Sequence, residues 1–434
     1  MTLQQYASGS DSNLLTVQLE KLVYGGDALG RLPNPLTGTG GRAVFVPFAL
    51  PGEIIKARLI EEKRGHVRAE LVEVLEPSPE RIPPKCGHFG ACGGCHYQHL
   101  PYPSQLRVKA EILADQLSRI GKIGNPPVAP MVPSPNPWNY RNHVQFHLTR
   151  EGKVGYVREH SRAASCRRGS QDVFAIRECH LPEGPLNEIW PKLEFDPGLP
   201  LERVSLRLGM EEDAVLILES SDPQPPDLEL EAGLSVVYLN GGNLIVLAGD
   251  ENLTISVNDR PFRVSAGSFF QVNTGMAGKM VDHLLKNLPV EAGATLLDVY
   301  CGVGLFSAFF APRVKRVIGI ESSPSACEDF VANLDEFENV ELYEAPAEQV
   351  LPQLQAAPEA VIVDPPRAGL EKRALEALLA QAPERIAYVS CDPSTLSRDL
   401  ARFIAGGYRL IQVTPFDLFP QTHSIESISI LEKG

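Results

Sequence analysis

The hydrophobic rhythm of the chain changes along its length. Between residues 13 and 78, short apolar runs alternate with turns: the runs are residues 14–19, 43–46, 53–59 and 67–75. Turns such as Tyr24-Gly25-Gly26 and Pro51-Gly52 separate them. A period of two puts successive side chains on opposite faces, so each run predicts a half-buried strand and the set a small antiparallel barrel. Pro77, Pro79, Pro83 and Pro84 follow as a linker. From Ser104 to Ile120 the period lengthens, with Leu106, Ile112, Leu113, Leu117 and Ile120 on one helical face. Prolines in residues 124–137 end that helix, and residues 139–265 mix strands and turns with no strong period. From Thr295 onward, strand-like runs at 295–299, 316–320, 340–343, 360–363, 386–389, 409–413 and 425–431 alternate with helical stretches. That alternation predicts a doubly wound α/β domain.

A chain of 434 residues is too long for one ordinary core, which fits this three-part pattern. No stretch of about 18 apolar residues occurs, the length a membrane-spanning helix needs, and the polar first residues lack the apolar core of a secretory signal. A cytoplasmic location is the expectation. The net charge of −14 argues against a general affinity for nucleic acid, but residues 101–170 carry eleven Lys/Arg against four Asp/Glu. This basic segment is a candidate phosphate contact, through Arg141, Arg158, Arg162, Arg167 and Arg168.

The chemistry concentrates at predicted strand ends. Residues 296–306, Leu-Leu-Asp-Val-Tyr-Cys-Gly-Val-Gly-Leu-Phe, read as a strand, a glycine turn and a helix start. The third glycine of a dinucleotide fingerprint is missing. About twenty residues on, Glu321 ends the second strand, where a carboxylate accepts hydrogen bonds from ribose hydroxyls. A nucleoside without phosphates fits better than NAD, and S-adenosylmethionine is the obvious one. The next strand ends in Asp364-Pro365-Pro366-Arg367, a stiff loop. Asp364 is a candidate to fix the cofactor or a base edge, and Arg367 to hold a phosphate. Such a loop also suits an amino-group methyltransferase.

Ser390-Cys391-Asp392-Pro393 follows the strand at 386–389 and precedes a helix, with Asp392 as N-cap and Pro393 at the first helical position. Cys391 is thereby expected to face the positive end of a helix, a setting that lowers a thiol pKa. Glu426 stands at the mouth of the last strand, a place for a general base, with His423 nearby as an orienting or packing residue. A thiolate adding to C6 of uracil activates C5 toward a sulfonium methyl, and a base must then remove the C5 proton. An amino-group methyltransferase needs neither residue.

Cys86, Cys92 and Cys95 place three soft ligands in one loop, with glycines at 87, 90, 93 and 94 that let the backbone wrap. A fourth ligand must come from afar, with Cys166 and Cys179 both available. Spacing does not separate zinc from an iron–sulfur cluster. Cys301 and Cys327 read as core residues of the α/β domain.

Taken together, residues 268–273 (Ser-Phe-Phe-Gln-Val-Asn), 298–304, 364–369, 390–394 and 423–426 resemble the RumA/TrmA family of RNA uracil-C5 methyltransferases, over nearly the whole chain. The resemblance implies a Rossmann-like α/β methyltransferase domain, an N-terminal OB-like barrel of the TRAM type and a central α+β iron–sulfur domain. It places the barrel at 10–78, the central domain at 79–100 and 125–262, and the catalytic domain at 101–124 and 263–434. It assigns Cys391 as nucleophile and Glu426 as base. Gln271, Tyr300, Glu321 and Asp364 would contact S-adenosylmethionine, and Phe269, Arg367 and Arg141 the base or RNA backbone. It picks Cys179 as fourth ligand and favours a 4Fe–4S cluster over zinc, structural rather than redox-active. Leu305 departs from members that carry a polar residue there. The implied substrate is an unpaired uridine of RNA, with 23S rRNA ahead of tRNA, no membrane and no obligate protein partner. A non-catalytic, metal-containing RNA-binding protein is the alternative of another class.

Overall fold

The computed structural model describes residues 13–32, 41–159, 172–227, 234–241 and 243–434. The chain divides into two compact units, one running to Ile112 with Gln421–His423 added, the other comprising Leu113–Pro420 and Ser424–Gly434.

The first unit holds the expected barrel. Strands β1 (Leu14–Leu22), β2 (Ala28–Arg31), β3 (Ala43–Val46), β4 (Ile54–Glu62) and β5 (His66–Glu76) close in the order β1-β2-β3-β5-β4. Only the β3–β5 pair is parallel. Closure leaves no free sheet edge. The inward residues of β1, Val17, Leu19 and Leu22, are buried. Opposite them Gly30 is required by space, since a Cβ there would lie 2.6 Å from the Gln18 carbonyl oxygen. Within this unit the Gln421–His423 segment packs the His423 ring 4.3 Å from that of His96. His423 is thus a packing residue, one of the two roles expected of it. Helix α1 (Tyr102–Arg119) follows the cysteine loop, within two residues of its predicted span.

The second unit contains two seven-stranded sheets. The central one uses β6 (His143–Leu148), β7 (Val154–Val157), β8 (Val173–Ala175), β9 (Arg203–Leu208), β10 (Ala214–Ser220), β11 (Ser235–Asn240) and β12 (Asn243–Ala248), in the order β12-β11-β10-β9-β6-β7-β8. The short helix α2 (Gly184–Ile189) lies between β8 and β9 in sequence. Strands β9 and β10 are buried along almost their whole length, which is why no alternation shows in their sequence. A hairpin of β13 (Asn252–Val257) and β14 (Arg260–Ser265) turns at Asn258-Asp259, both with positive φ, as a two-residue primed turn requires. Helix α3 (Thr274–Asn287) follows, capped by Asn273.

The catalytic sheet is built from β15 (Thr295–Val299), α4 (Leu305–Phe310), β16 (Arg316–Glu321), α5 (Pro324–Leu334), β17 (Val340–Glu344), α6 (Ala347–Val350), β18 (Ala360–Val363), α7 (Lys372–Gln381), β19 (Arg385–Ser390), α8 (Pro393–Ala405), β20 (Tyr408–Phe416) and β21 (Glu426–Lys433). Its order is β17-β16-β15-β18-β19-β21-β20. Five strands pair in parallel, β20 points the same way, and β21 runs antiparallel to both neighbours. One apolar core joins Val215, Ile217 and Val237 of the central sheet to Leu296, Ile362 and Ile428 of the catalytic sheet. No helix among the described residues is long and apolar enough to cross a membrane.

Candidate active site

Register gathers the site. In β15, β16 and β18, Val299 pairs with Ile320 and with Val363, so Tyr300, Glu321 and Asp364 leave the sheet together at its carboxyl edge. Strand β19 lies parallel beside β18, and Cys391 follows its last residue at that same edge. Because β21 runs the other way, its first residue, Glu426, lies there too. Ser390–Ser427 is the end pair of that ladder, so Cys391 and Glu426 each lie one residue beyond it, and the charge of Glu426 acts on the thiol.

The electrostatics of that edge differ from expectation in one respect. Cys391 is half-buried and its thiol is pushed up to about 12, first by burial and then by Glu426, Asp364 and Asp392, with Arg367 opposing. The lowered thiol pKa expected from the helix terminus is therefore corrected. The reason is burial first and the neighbouring acids Glu426 and Asp364 next; Asp392, whose Oδ1 accepts from the Ser394 and Thr395 amides at 2.9 Å each and so answers the positive end of α8, adds the least. Glu426 is buried, and burial followed by the charge of Asp364 raises it to about 8. Asp364 itself rises to about 7 through burial and the charges of Asp298 and Glu321.

The glycine turn is built for close approach. Gly302 has φ +54° and nothing within 4 Å of where a Cβ would stand, so its face is open. Gly304 has φ +87° and a different constraint, a Cβ there falling 2.3 Å from Leu334 Cδ1. Tyr300 also takes a positive φ, 65°, turning the chain out of β15. Glu321 accepts from the amides of Gly302 (3.0 Å), Ser322 (2.7 Å) and Ser323 (2.8 Å). Of roughly four acceptor positions on a carboxylate, about one is left for a ribose hydroxyl. The loop after β18 is tied to α8: Thr395 Oγ1 donates to Arg367 O (3.1 Å), Arg398 Nη2 to Ala368 O (2.9 Å) and Leu370 N to Asp399 Oδ2 (2.9 Å).

Sequence reasoning passed over Asp298 as a site residue. It is buried in β15, accepts from Ser307 Oγ at 2.7 Å, and its other oxygen has no hydrogen-bond partner. Burial lifts it to about 6. Its signal was an acid inside an apolar strand. Asp298, Glu321, Asp364 and Glu426 gather acids at one sheet edge, three of them with raised pKa values, and a positively charged, sulfonium-bearing nucleoside bound there would favour their ionised forms. The described residues fit that cofactor.

Phe269 is 71% exposed, and Gln271 and Arg141 are partly buried. The Arg141 guanidinium lies 5.6 Å from the centre of the Phe419 ring. Arg158 is engaged within the protein, over Phe174 at 4.8 Å and 3.3 Å from Asp172. Arg162, Arg167, Arg168 and Cys166 lie outside the described residues.

The cysteine loop does not behave like the crevice. Among the described residues, no group of three or more His, Cys, Asp or Glu side chains is placed to hold a metal ion. The expected ligand set of Cys86, Cys92, Cys95 and Cys179 therefore finds no support in the geometry. The amides of His88 and Gly94 donate to the sulfurs of Cys86 (3.4 Å) and Cys92 (3.3 Å), and Cys179 is raised by burial. No step of the chemistry below runs through a cluster. Cys301 and Cys327 are buried core residues, as expected, and Leu305 is buried at the start of α4.

The comparisons with known proteins agree with this geometry. Residues 14–72 match the TRAM domain, and residues 242–434 match the family described as tRNA (Uracil-5-)-methyltransferase. An uncharacterized RNA methyltransferase of Aquifex aeolicus is 34% identical over 96% of this chain and 98% of its own length. One from Halalkalibacterium halodurans is 31% identical over 99% of both. The crystal structure of Pyrococcus abyssi tRNA (uracil-54, C5)-methyltransferase in complex with S-adenosyl-L-homocysteine has a TM-score of 0.71 and 25% identity, covering 98% of this chain and all of that one. Fold and crevice define an S-adenosylmethionine-dependent methyltransferase. The chain belongs to the RNA uracil-5-methyltransferase family that carries an N-terminal TRAM domain.

Proposed function

We propose that this enzyme methylates C5 of an unpaired uridine in 23S rRNA, with Cys391 as nucleophile and Glu426 as general base. The observation that supports the reading is the β19–β21 ladder, whose end pair Ser390–Ser427 stands one residue from both Cys391 and Glu426. Cys391 passes its proton to solvent and its thiolate bonds to C6, leaving an enolate whose C5 is nucleophilic. Bound S-adenosylmethionine would supply the electrophilic methyl group to C5, its sulfur leaving as the neutral thioether of S-adenosylhomocysteine. Glu426 then removes the C5 proton, the C6–S bond breaks, and the thiolate returns. One proton is released per turnover. Binding a sulfonium beside Asp364 favours the ionised forms of Asp364, Glu426 and Cys391 together. Gln271, Tyr300, Glu321 and Asp364 hold the cofactor, while Phe269, Arg367 and Arg141 meet the extruded base and its backbone.

The Pyrococcus abyssi relative acts on tRNA, and that favours tRNA as a second reading. Mapping 5-methyluridine in rRNA and tRNA from cells with and without the gene separates the two. The mechanism is tested by Glu426→Gln: methyl addition proceeds, the proton stays, and a covalent protein–RNA adduct persists on a denaturing gel. Free methylated RNA released rapidly by that variant refutes the assignment of base.

The proposal keeps a cytoplasmic location and a soft-metal role for Cys86, Cys92 and Cys95. The latter rests on the donor chemistry of three thiols in one loop and on the amides aimed at two of the sulfurs. Iron and acid-labile sulfide measured on anaerobically purified protein decide it, and their absence removes the cluster from the account.

A further inference from the structure

Residues 265–268 form a turn that is gripped from two directions. From β9, Arg207 is 5% exposed and donates Nη1 to Ser265 O and Nη2 to Ser268 O, each at 2.8 Å. From α5, the fully buried Asp329 accepts from Ser265 N (2.8 Å), Ser265 Oγ (2.7 Å) and Ser268 Oγ (2.6 Å). Further along, Asn142 Nδ2 donates to Gln271 O at 3.1 Å and its backbone amide to Val272 O at 2.9 Å. Asn273 closes the stretch by donating Nδ2 to Leu418 O at 3.2 Å.

Between these anchors two neighbouring phenylalanines behave oppositely. Phe270 is buried, its ring 6.0 Å from that of Phe262. Phe269 is exposed on a stretch of backbone tied down on both sides. A large exposed aromatic on rigid main chain contributes little to folding, but it stacks on a nucleobase without an ordering cost at binding. Two buried charged side chains for one short turn exceed what the turn alone needs, since neutral donors and acceptors satisfy carbonyls and hydroxyls equally well.

We propose that Arg207 and Asp329 are positioning residues for the methyl transfer: they clamp residues 265–268 so that Phe269 presents its ring to the substrate base. The inference rests on the uridine-methylating reading above. It makes the central sheet part of the catalytic apparatus, through one guanidinium.

A double-mutant cycle tests it, with tritiated methyl transfer into total RNA from cells lacking the gene, at sub-saturating RNA. Lysine keeps the charge but loses the two-pronged grip. Arg207→Lys is expected to lower kcat/KM for RNA about tenfold in the native background and less than about twofold when Phe269 is already alanine. Equal losses in both backgrounds, or no loss in either, overturn the proposal, because a merely structural residue does not depend on Phe269. If Arg207→Lys fails to fold, Ser268→Ala removes one Asp329 bond and enters the same cycle with the same inequality. Should the unaltered protein leave uridine C5 unmethylated, the functional reading falls by itself. Filter binding of the same RNA then supplies the cycle and still decides Arg207.

Discussion

Two buried glutamates make opposite use of the same problem. Glu53 in the barrel is 0% exposed and Glu426 in the catalytic sheet is 8% exposed. Burial pushes both carboxyls upward. Around Glu53 that push is reversed by donors: Arg81 Nε (2.5 Å) and Nη2 (2.7 Å), Leu50 N (2.8 Å) and Ser78 N (3.2 Å). It ends below the usual carboxylate range. Around Glu426 the next influence is another acid, Asp364, and the value settles near 8. A carboxylate ringed by donors is a structural tie, whereas one ringed by acids is ready to take a proton near neutral pH.

The contrast is sharpened first by Cys391→Ala. Methyl transfer into RNA should fall about 10⁴-fold or more, with cofactor binding retained by calorimetry. Glu53→Gln should leave turnover per folded molecule unchanged but cost about 3–5 kcal/mol, read by denaturant unfolding, because it strands Arg81. The pH dependence should follow Glu426 and Cys391: kcat/KM rises with pH below 8 and keeps rising above it, since the base and the thiol must both be ionised. A flat profile from pH 6 to 9 would remove Glu426 from that role.

The smallest effect is on stability. The Glu426 carboxyl is raised in the folded state, so the folded protein holds a proton that the unfolded one releases. Its ionisation therefore destabilises progressively as pH climbs from the ordinary glutamate value toward 8. Glu53 has the opposite sign, with stability present above its unfolded value and lost as pH falls through its lowered one. Glu426→Gln should thus raise the melting temperature by about 2–4 °C for each kcal/mol relieved, more at pH 8.5 than at pH 5. Equal shifts at both would place the carboxyl in water.

Much of this was readable from the chain. The strands of the catalytic sheet are short, apolar and bounded by glycine or proline, so their ends, and with them Tyr300, Glu321, Asp364, Cys391 and Glu426, could be placed. The central sheet was not, because β9 and β10 are buried on both faces and show no alternation. The thiol pKa went wrong for a related reason. A motif reveals that Asp392 caps α8 but not that burial, with Glu426 and Asp364 nearby, raises the thiol at Cys391. Arg207 and Asp329 were invisible as partners, since they lie 122 residues apart and meet only through the turn they hold. Spacing was weakest at the cysteine loop, where three thiols in ten residues did not become a metal-competent group among the described residues.

Strand β21 slots between β19 and β20, backwards and after both have been synthesised. Both neighbours therefore lean on β21: without it β19 and β20 share no ladder, and the edge beside Cys391 loses Glu426.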